Sequence, residues 1–169
     1  MKKTLKAVRR NGTFGPLTDA PFDVERFLAR PLVARLATDG PTVRPVWFLW
    51  EDECFWVLTG AWSRLPRRLA KNPAFELVVD TCDLDTGVTQ QVVAGGQGGI
   101  VPLDNARARR KLVRYLGPDE AVWDPRFALG DASGSGGTLW ARLVPDVLRI
   151  ADLSFTPPGA TTGEADAHG

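Results

Sequence analysis

Seven short stretches of this chain either alternate hydrophobic and polar residues or cluster β-branched and aromatic residues, a pattern typical of small all-β folds. Pro145 and Asp146 predict a turn between the last two stretches. Gly95-Gly-Gln-Gly-Gly could be a nucleotide-binding loop, but neither a lysine nor a helix follows it at once. The segment therefore predicts a bulge or tight bend. The stretches predict strands at residues 32–38, 42–50, 54–59, 75–82, 89–101, 139–143 and 147–151.

Two further stretches carry helix signals. Residues 22–29 predict a short helix that begins at Asp23, and residues 104–116 predict a longer helix that Gly117 ends. Together with the strands, these signals predict a mainly β protein, a small antiparallel barrel with two or three helices.

The helix expected after the third strand begins in a way that suits an anion. Ser63 is its candidate N-cap, and Pro66 is compatible only with a first helical turn. Unpaired first-turn amides and the helix dipole favour an anionic group there. Four cations share one face of this helix, namely Arg64, Arg67, Arg68 and Lys71. The later helix has four cations at the same spacing but no capping loop before them. They are therefore predicted to form a solvated face, which consists of Arg107, Arg110, Lys111 and Arg114.

Composition narrows the functional classes. The 169 residues fit one domain, with an irregular arm at 1–20, a barrel at 21–155 and a disordered tail at 156–169. The net charge of +1 gives no general attraction to nucleic acid. No apolar stretch predicts a signal peptide or a membrane span, so the expected location is cytoplasmic. Cys54 and Cys82 are expected to stay reduced.

Side chains for hydrolytic or metal chemistry are missing. The only histidine, His168, lies in the tail, and no histidine-paired nucleophile or metal-ligand cluster is present. No catalytic side chain is identified and no metal is expected.

Three segments, in this order, resemble the pyridoxamine 5′-phosphate oxidase-related family of flavin- and deazaflavin-binding split β-barrels. They are Arg44-Pro-Val-Trp-Phe, Thr59-Gly-Ala-Trp-Ser-Arg, and Leu69 with Asn72-Pro73. The resemblance extends over residues 22–155. It implies an FMN-binding split barrel of six to seven antiparallel strands, paired as a homodimer with the cofactor sites at the subunit interface.

The resemblance also implies which residues hold the cofactor. Thr59, Ser63 and Arg64 match the family's phosphate-binding positions, whereas Leu65 stands where a basic residue is common. Arg67 or Arg68 would compensate from the same helical face. The ring would lie along the second strand, and the remaining cofactor-binding candidates are Arg44, Val46, Trp47, Phe48 and Gln91.

The leading interpretation is an FMN-dependent oxidoreductase that transfers hydride between the flavin and an unidentified small organic substrate. An F420-dependent reductase of the same fold is the alternative, and a non-catalytic flavin-binding or dimerisation module is the alternative from another class. The final Ala-Asp-Ala-His-Gly lacks the arginine- and histidine-containing segment of a genuine pyridoxamine phosphate oxidase. Loop position alone makes Trp62, Trp123 and Phe127 substrate candidates, while Trp47, Trp50 and Trp56 are by default core or interface aromatics.

Overall fold

Strands dominate the computed structural model, which describes residues 6–8, 14–129 and 137–158. The described residues contain nine strands: β1 Lys6–Val8, β2 Phe14–Gly15, β3 Val33–Thr38, β4 Thr42–Trp47, β5 Leu49–Glu51, β6 Cys54–Gly60, β7 Ala74–Cys82, β8 Thr89–Pro102 and β9 Thr138–Asp152. They also contain three α-helices: α1 Val24–Leu28, α2 Leu65–Lys71 and α3 Asn105–Leu116. Short 3₁₀ turns follow α3 at Glu120–Val122 and Pro125–Phe127.

The strands form one curled sheet in the order β2-β1-β9-β8-β7-β3-β4, and β6 pairs with both β5 and β9. Every pairing is antiparallel except that of β1 with β9. Because only Phe48 separates β4 from β5, the chain itself carries the sheet round to β6 and closes it into a barrel. The predicted mainly β, split-barrel fold is confirmed.

Side-chain caps begin two of the helices. The Asp23 carboxylate accepts a hydrogen bond from the Arg26 backbone N–H at 2.9 Å, and the Asp104 carboxylate accepts one from Arg107 at 3.0 Å. Each cap satisfies an amide that has no partner within the helix. Both helices predicted at these positions are confirmed, and α3 ends at Gly117, whose φ is +89°.

The predicted strand at 42–50 is interrupted. The Phe48 backbone N–H donates to the Tyr115 hydroxyl at 3.1 Å, and this hydroxyl donates to the Leu32 carbonyl at 2.7 Å. The ladder breaks here because the Phe48 amide bonds to a side chain instead of a neighbouring strand. Within this stretch only β5 forms a hairpin with β6, while β4 pairs with β3.

The predicted turn at Pro145 and Asp146 is wrong, since β9 runs through both residues. The register of β8 against β9 shifts between Gly95 and Gly96, which pair with Val147 and Pro145. Asp146 is thus the additional residue of a β-bulge, a place where a strand tolerates proline. The bulge predicted within Gly95-Gly-Gln-Gly-Gly is confirmed.

The ends of the chain depart from expectation at one point. Within the arm predicted to be irregular, β1 pairs with β9 and β2 pairs with β1. Strands of three and two residues are too short for alternation to predict them. Most of the predicted disordered tail, residues 159–169, lies outside the described residues, as do residues 130–136 of the loop after α3. Cys54 and Cys82 are free thiols.

No helix in the described part of the chain is both long and apolar enough to cross a membrane.

The bulge predicts a large difference between two glycines of β8. A Cβ at Gly96 would overlap the Val144 carbonyl oxygen and lie 2.8 Å from the Pro145 Cα, whereas a Cβ at Gly99 meets nothing within 4 Å. Gly96→Ala should therefore lower the free energy of unfolding by about 2–4 kcal/mol, and Gly99→Ala should change it by less than about 0.5 kcal/mol. Urea unfolding followed by tryptophan fluorescence measures both. Equal effects would show that the bulge is not tightly packed.

Candidate functional site

A cavity of about 670 Å³ lies between the barrel and α3. One wall is formed by β4, β6 and the loop from β6 into α2. The other wall is formed by α3 and the segment that follows it. The lining side chains include six that were predicted from the sequence to contact the cofactor or the substrate: Arg44, Val46, Trp47, Trp62, Ser63 and Phe127.

Aromatic rings form much of the cavity surface. Trp47 stacks on Tyr115 with ring centroids 4.6 Å apart and on Phe127 with centroids 5.5 Å apart. Trp62 is 65% exposed and projects from the loop before α2. Such rings present flat apolar surface, which suits a planar ligand.

Among the described residues, the charge on the cavity lining is positive. Arg44, Lys111 and Arg126 line the cavity, and no acidic residue of the described part of the chain does. Arg126 is paired with Asp124 at 3.2 Å, but Lys111 has no ion-pair or hydrogen-bond partner among the described residues. The Lys111 side chain is 4% exposed, and its Nζ lies 6.0 Å from the ring centroids of Trp47 and of Tyr115. Burial lowers the pKa of Lys111 to about 8.

A second concentration of positive charge joins β4 to α2. Burial, and then the nearby Arg68 guanidinium, lower the pKa of Arg44. Arg68 Nη1 donates to the Asp39 carbonyl at 2.7 Å, and Arg68 Nε is buried without a partner among the described residues. Neither arginine has a carboxylate partner within the described residues. Two neighbouring cations with no carboxylate partner in the described part of the chain favour an anion between or beside them.

The start of α2 is more open. The Ser63 hydroxyl accepts a hydrogen bond from the Leu65 backbone N–H at 3.1 Å, so Ser63 supplies the capping side chain while Arg64 occupies the N-cap position. Arg64 and Arg67 are exposed and have no ion-pair partner in the described part of the chain. Thr59 lies in β6, just before the loop that leads into α2. It is 1% exposed, and its hydroxyl has no partner among the described residues.

The structure brings some of the predicted site residues together and separates others. Arg44, Val46, Trp47, Trp62, Ser63 and Phe127 line one cavity, whereas Phe48 and Thr59 are buried beside its walls. Arg64, Arg67 and Arg68 belong to the adjoining helix and do not line the cavity.

Two predicted residues lie away from the cavity. Gln91 pairs with Asp80 and Ala151 near the start of β8. The cavity-lining residue Thr138 lies at the other end of β8, next to the pair of Leu139 and Pro102. The Trp123 indole N–H donates to the Gly117 carbonyl at 3.1 Å, which packs Trp123 against the end of α3 instead of the cavity.

The prediction that four cations of α3 form a solvated face is wrong. Arg107 Nε lies 2.7 Å from a Glu51 oxygen, and Arg110 Nη2 lies 2.9 Å from the same carboxylate. Hydrogen bonds from Arg110 and Arg107 hold the pKa of Glu51 below its usual value. Lys111 is buried, and Arg114 donates to the Leu28 carbonyl at 3.3 Å. This face packs against the barrel because the turn after β5 supplies the opposite charge.

Sequence reasoning therefore missed Lys111 as a cavity residue. The available signal was the acidic turn Glu51-Asp52-Glu53, which marks a docking partner for a basic helix. When this face of α3 packs against the barrel, Lys111 also lies on the barrel side, because residues 107, 110 and 111 share one side of the helix.

Comparison with known proteins defines the fold. No protein-family model and no curated protein matches the sequence. Solved structures match with TM-scores above 0.5, among them the conserved hypothetical protein Rv2991 from Mycobacterium tuberculosis, at 0.61 with 20% identity over 79% of this chain and 87% of that one. The protein has the pyridoxamine 5′-phosphate oxidase-like split-barrel fold.

Two further matches are proteins whose names refer to a flavin or to F420. An F420 reductase has a TM-score of 0.54 and 26% identity over 76% of this chain and 97% of its own. The flavocytochrome Anf3 from Azotobacter vinelandii has a TM-score of 0.58 and 18% identity over 79% of this chain and 67% of its own. The structural neighbours of this split barrel thus include flavin-binding and F420-reductase proteins.

Burial of Lys111 predicts an unusual pH dependence of stability. Between about pH 8 and 10.5 the unfolded chain keeps the lysine proton that the folded chain releases, so the free energy of unfolding rises with pH. Relative to Lys111→Met, the wild type should gain about 2 kcal/mol between pH 7 and 9.5. Urea unfolding at the two pH values measures this difference. Parallel pH profiles for the two proteins would contradict the burial of the charge.

Proposed function

We propose that this protein is an FMN-dependent oxidoreductase that transfers hydride between the bound flavin and a small organic substrate. The observation that carries the proposal is the pair Arg44 and Arg68, two half-buried arginines with no carboxylate partner among the described residues, next to a cavity lined in part by aromatic rings. In a split barrel with flavin-binding structural neighbours, this combination supports a cofactor that has both an anionic group and a flat ring.

The residues near α2 fit a phosphate. The Ser63 hydroxyl already accepts a hydrogen bond from Leu65, so its own O–H remains free to donate. Arg44 and Arg64 would add charge-assisted hydrogen bonds, which are about twice as strong as neutral ones. Arg68 Nε and the Thr59 hydroxyl are buried polar groups with no partner among the described residues, and this also supports an anion here. Leu65 stands where the family commonly has a basic residue, and Arg67 would supply a compensating positive charge from the same helix.

The cavity walls fit the ring. Val46 and Trp47 would border it along β4, while Trp62 and Phe127 would cover it and exclude water. When bound, FMN supplies the hydride chemistry at its ring, so the protein has to hold the phosphate, bury the ring and leave space for a substrate. The absence of a histidine from the described residues agrees with this division of labour.

F420 is a second candidate cofactor because the F420 reductase is the most similar in sequence of the three matches described above, at 26% identity. A deazaflavin with a longer anionic side chain would also reach the exposed cations of α2, Arg64 and Arg67.

Titration with FMN and with F420 separates the two candidates. Tighter quenching of tryptophan fluorescence by FMN supports the flavin, because Trp47 and Trp62 line the cavity. Tighter quenching by F420 would overturn the choice of FMN. Flavin that stays bound but is never reduced or reoxidised with any substrate would favour a non-catalytic flavin-binding or dimerisation module.

The homodimer implied by the family is also a proposal. Val43 is 70% exposed and Val33 is 40% exposed on the paired strands β4 and β3, and such apolar surface supports a contact between subunits. Cofactor sites at that interface would place β4 between the bound ring and the partner subunit.

The phosphate assignment predicts a position-specific loss of affinity. Arg64→Ala should weaken FMN binding about 10- to 150-fold, the loss expected for one charge-assisted contact. Lys71→Ala removes an exposed charge at the other end of the same helix and should change affinity less than about twofold at physiological salt. Fluorescence titration measures both. Equal losses would mean that FMN responds to the general charge of α2 and not to a site.

A further inference from the structure

Lys111 is a buried cation with no polar partner in the described part of the chain. Its side chain is 4% exposed and lines the cavity from α3, and it makes no hydrogen bond or ion pair with the described residues. The Trp47 and Tyr115 rings lie 6.0 Å away, at the outer limit of a cation–π contact. Burying an uncompensated ammonium is costly, so the site is poised to gain from an anion that reaches Nζ.

The neighbouring charges do not compensate Lys111. Arg44 from β4 and Arg126 from the segment after α3 line the same cavity and are cationic. Tyr115, one turn further along α3, has its hydroxyl committed to the Leu32 and Phe48 backbones. Glu51, the carboxylate held by the basic face of α3, is committed to Arg107 and Arg110. No described residue therefore supplies a counter-charge to Lys111, and the anionic group of a ligand would supply one.

We propose that the α3 side of this cavity binds a planar aromatic ligand that carries a carboxylate, and that the Lys111 ammonium pairs with this carboxylate. The apolar lining on this side, Leu58 and Leu112 together with the stacked pair of Trp47 and Phe127, matches an aromatic body. If the proposed function holds, this ligand is the substrate of hydride transfer, and the inference rests on that function for this point alone.

A carboxylate fits this position better than a phosphate. Lys111 is one point charge among apolar and aromatic side chains, which can neutralise a monoanion but offers few donors to a dianion. The residues that suit a phosphate, Ser63 and the arginines of α2, belong to the other wall. The two walls thus divide the anionic groups between a phosphate near α2 and a carboxylate near α3.

Selectivity between cinnamate and its neutral analogue cinnamamide tests the proposal in the cofactor-free protein. At pH 6.5 the wild type should bind cinnamate at least about 10-fold more tightly than cinnamamide. This preference should disappear by pH 9.5, because Lys111 loses its proton near pH 8 while cinnamate stays ionised. Tryptophan fluorescence and ligand-detected NMR, carried to about 10 mM ligand, measure the affinities.

Two variants assign the preference to one residue. Lys111→Met should bind cinnamate and cinnamamide equally, and it should fold, because the substitution replaces a buried charge with an apolar chain of similar length. Lys71→Met, which changes an exposed lysine outside the cavity, should keep the wild-type preference. Thermal unfolding of each variant verifies that it is folded.

Three results would overturn the inference: no binding of either compound to the wild type, equal affinities for both, or a preference that survives in Lys111→Met. Binding of FMN or F420 is measured separately on the same protein. Failure of cofactor binding with cinnamate selectivity intact would contradict the proposed function alone, whereas cofactor binding without that selectivity would contradict only this inference.

Discussion

The hydrogen bonding of β9 is the constraint on which the barrel depends. This strand pairs with β8 along its length, with β6 over its first half and with β1 over its second half. A strand that long bends round a small barrel only if its ladder is interrupted, and the bulge opposite Gly95 and Gly96 provides the interruption. Pairing of Gly60 with Thr138 then fixes the end of β6. The loop that carries Trp62 and Ser63 starts from that fixed point, so the cavity wall inherits its position from β9.

Two kinds of positive charge lie on this scaffold, and their difference has functional meaning. Arg107 and Arg110 share Glu51 and thereby attach α3 to the turn after β5, which is a structural role. Arg44, Arg68 and Lys111 are buried to different degrees and have no carboxylate partner in the described part of the chain. Proteins rarely keep buried charges in this state unless a ligand supplies the counter-charge. The proposed binding site therefore rests on these three groups more than on the basic helical face.

Local chemistry explains which features were predictable from the sequence. The caps at Asp23 and Asp104, the strong alternation of β7 and the glycine at the end of α3 depend on neighbouring residues, and all were predicted. The break at Phe48 depends on Tyr115, which is distant in the chain, so no local pattern contained it. Pro145 indicated a turn because a local reading cannot tell a turn from a bulge in a paired strand.

The residues of the candidate site also differ in whether the sequence alone could predict them. Ser63 and Trp47 were predictable because a family resemblance carried them, and both line the cavity. Lys111 was assigned to solvent, since helical spacing alone does not say which side of a basic helix faces the protein. Only the pairing of Glu51 with α3 turns that side inward. Trp123 and Phe127 had equal claims as loop aromatics, and tertiary packing placed only Phe127 in the cavity.

The visible absorption spectrum of the protein, recorded after incubation with FMN or F420 and removal of free cofactor by gel filtration, shows whether this cavity holds a flavin-type cofactor. We expect one cofactor to stay with the protein and to show bands shifted from those of the free compound, because the ring would lie among Trp47, Trp62 and Phe127. A protein that retains neither chromophore would overturn the assignment of the cavity to a flavin-type cofactor.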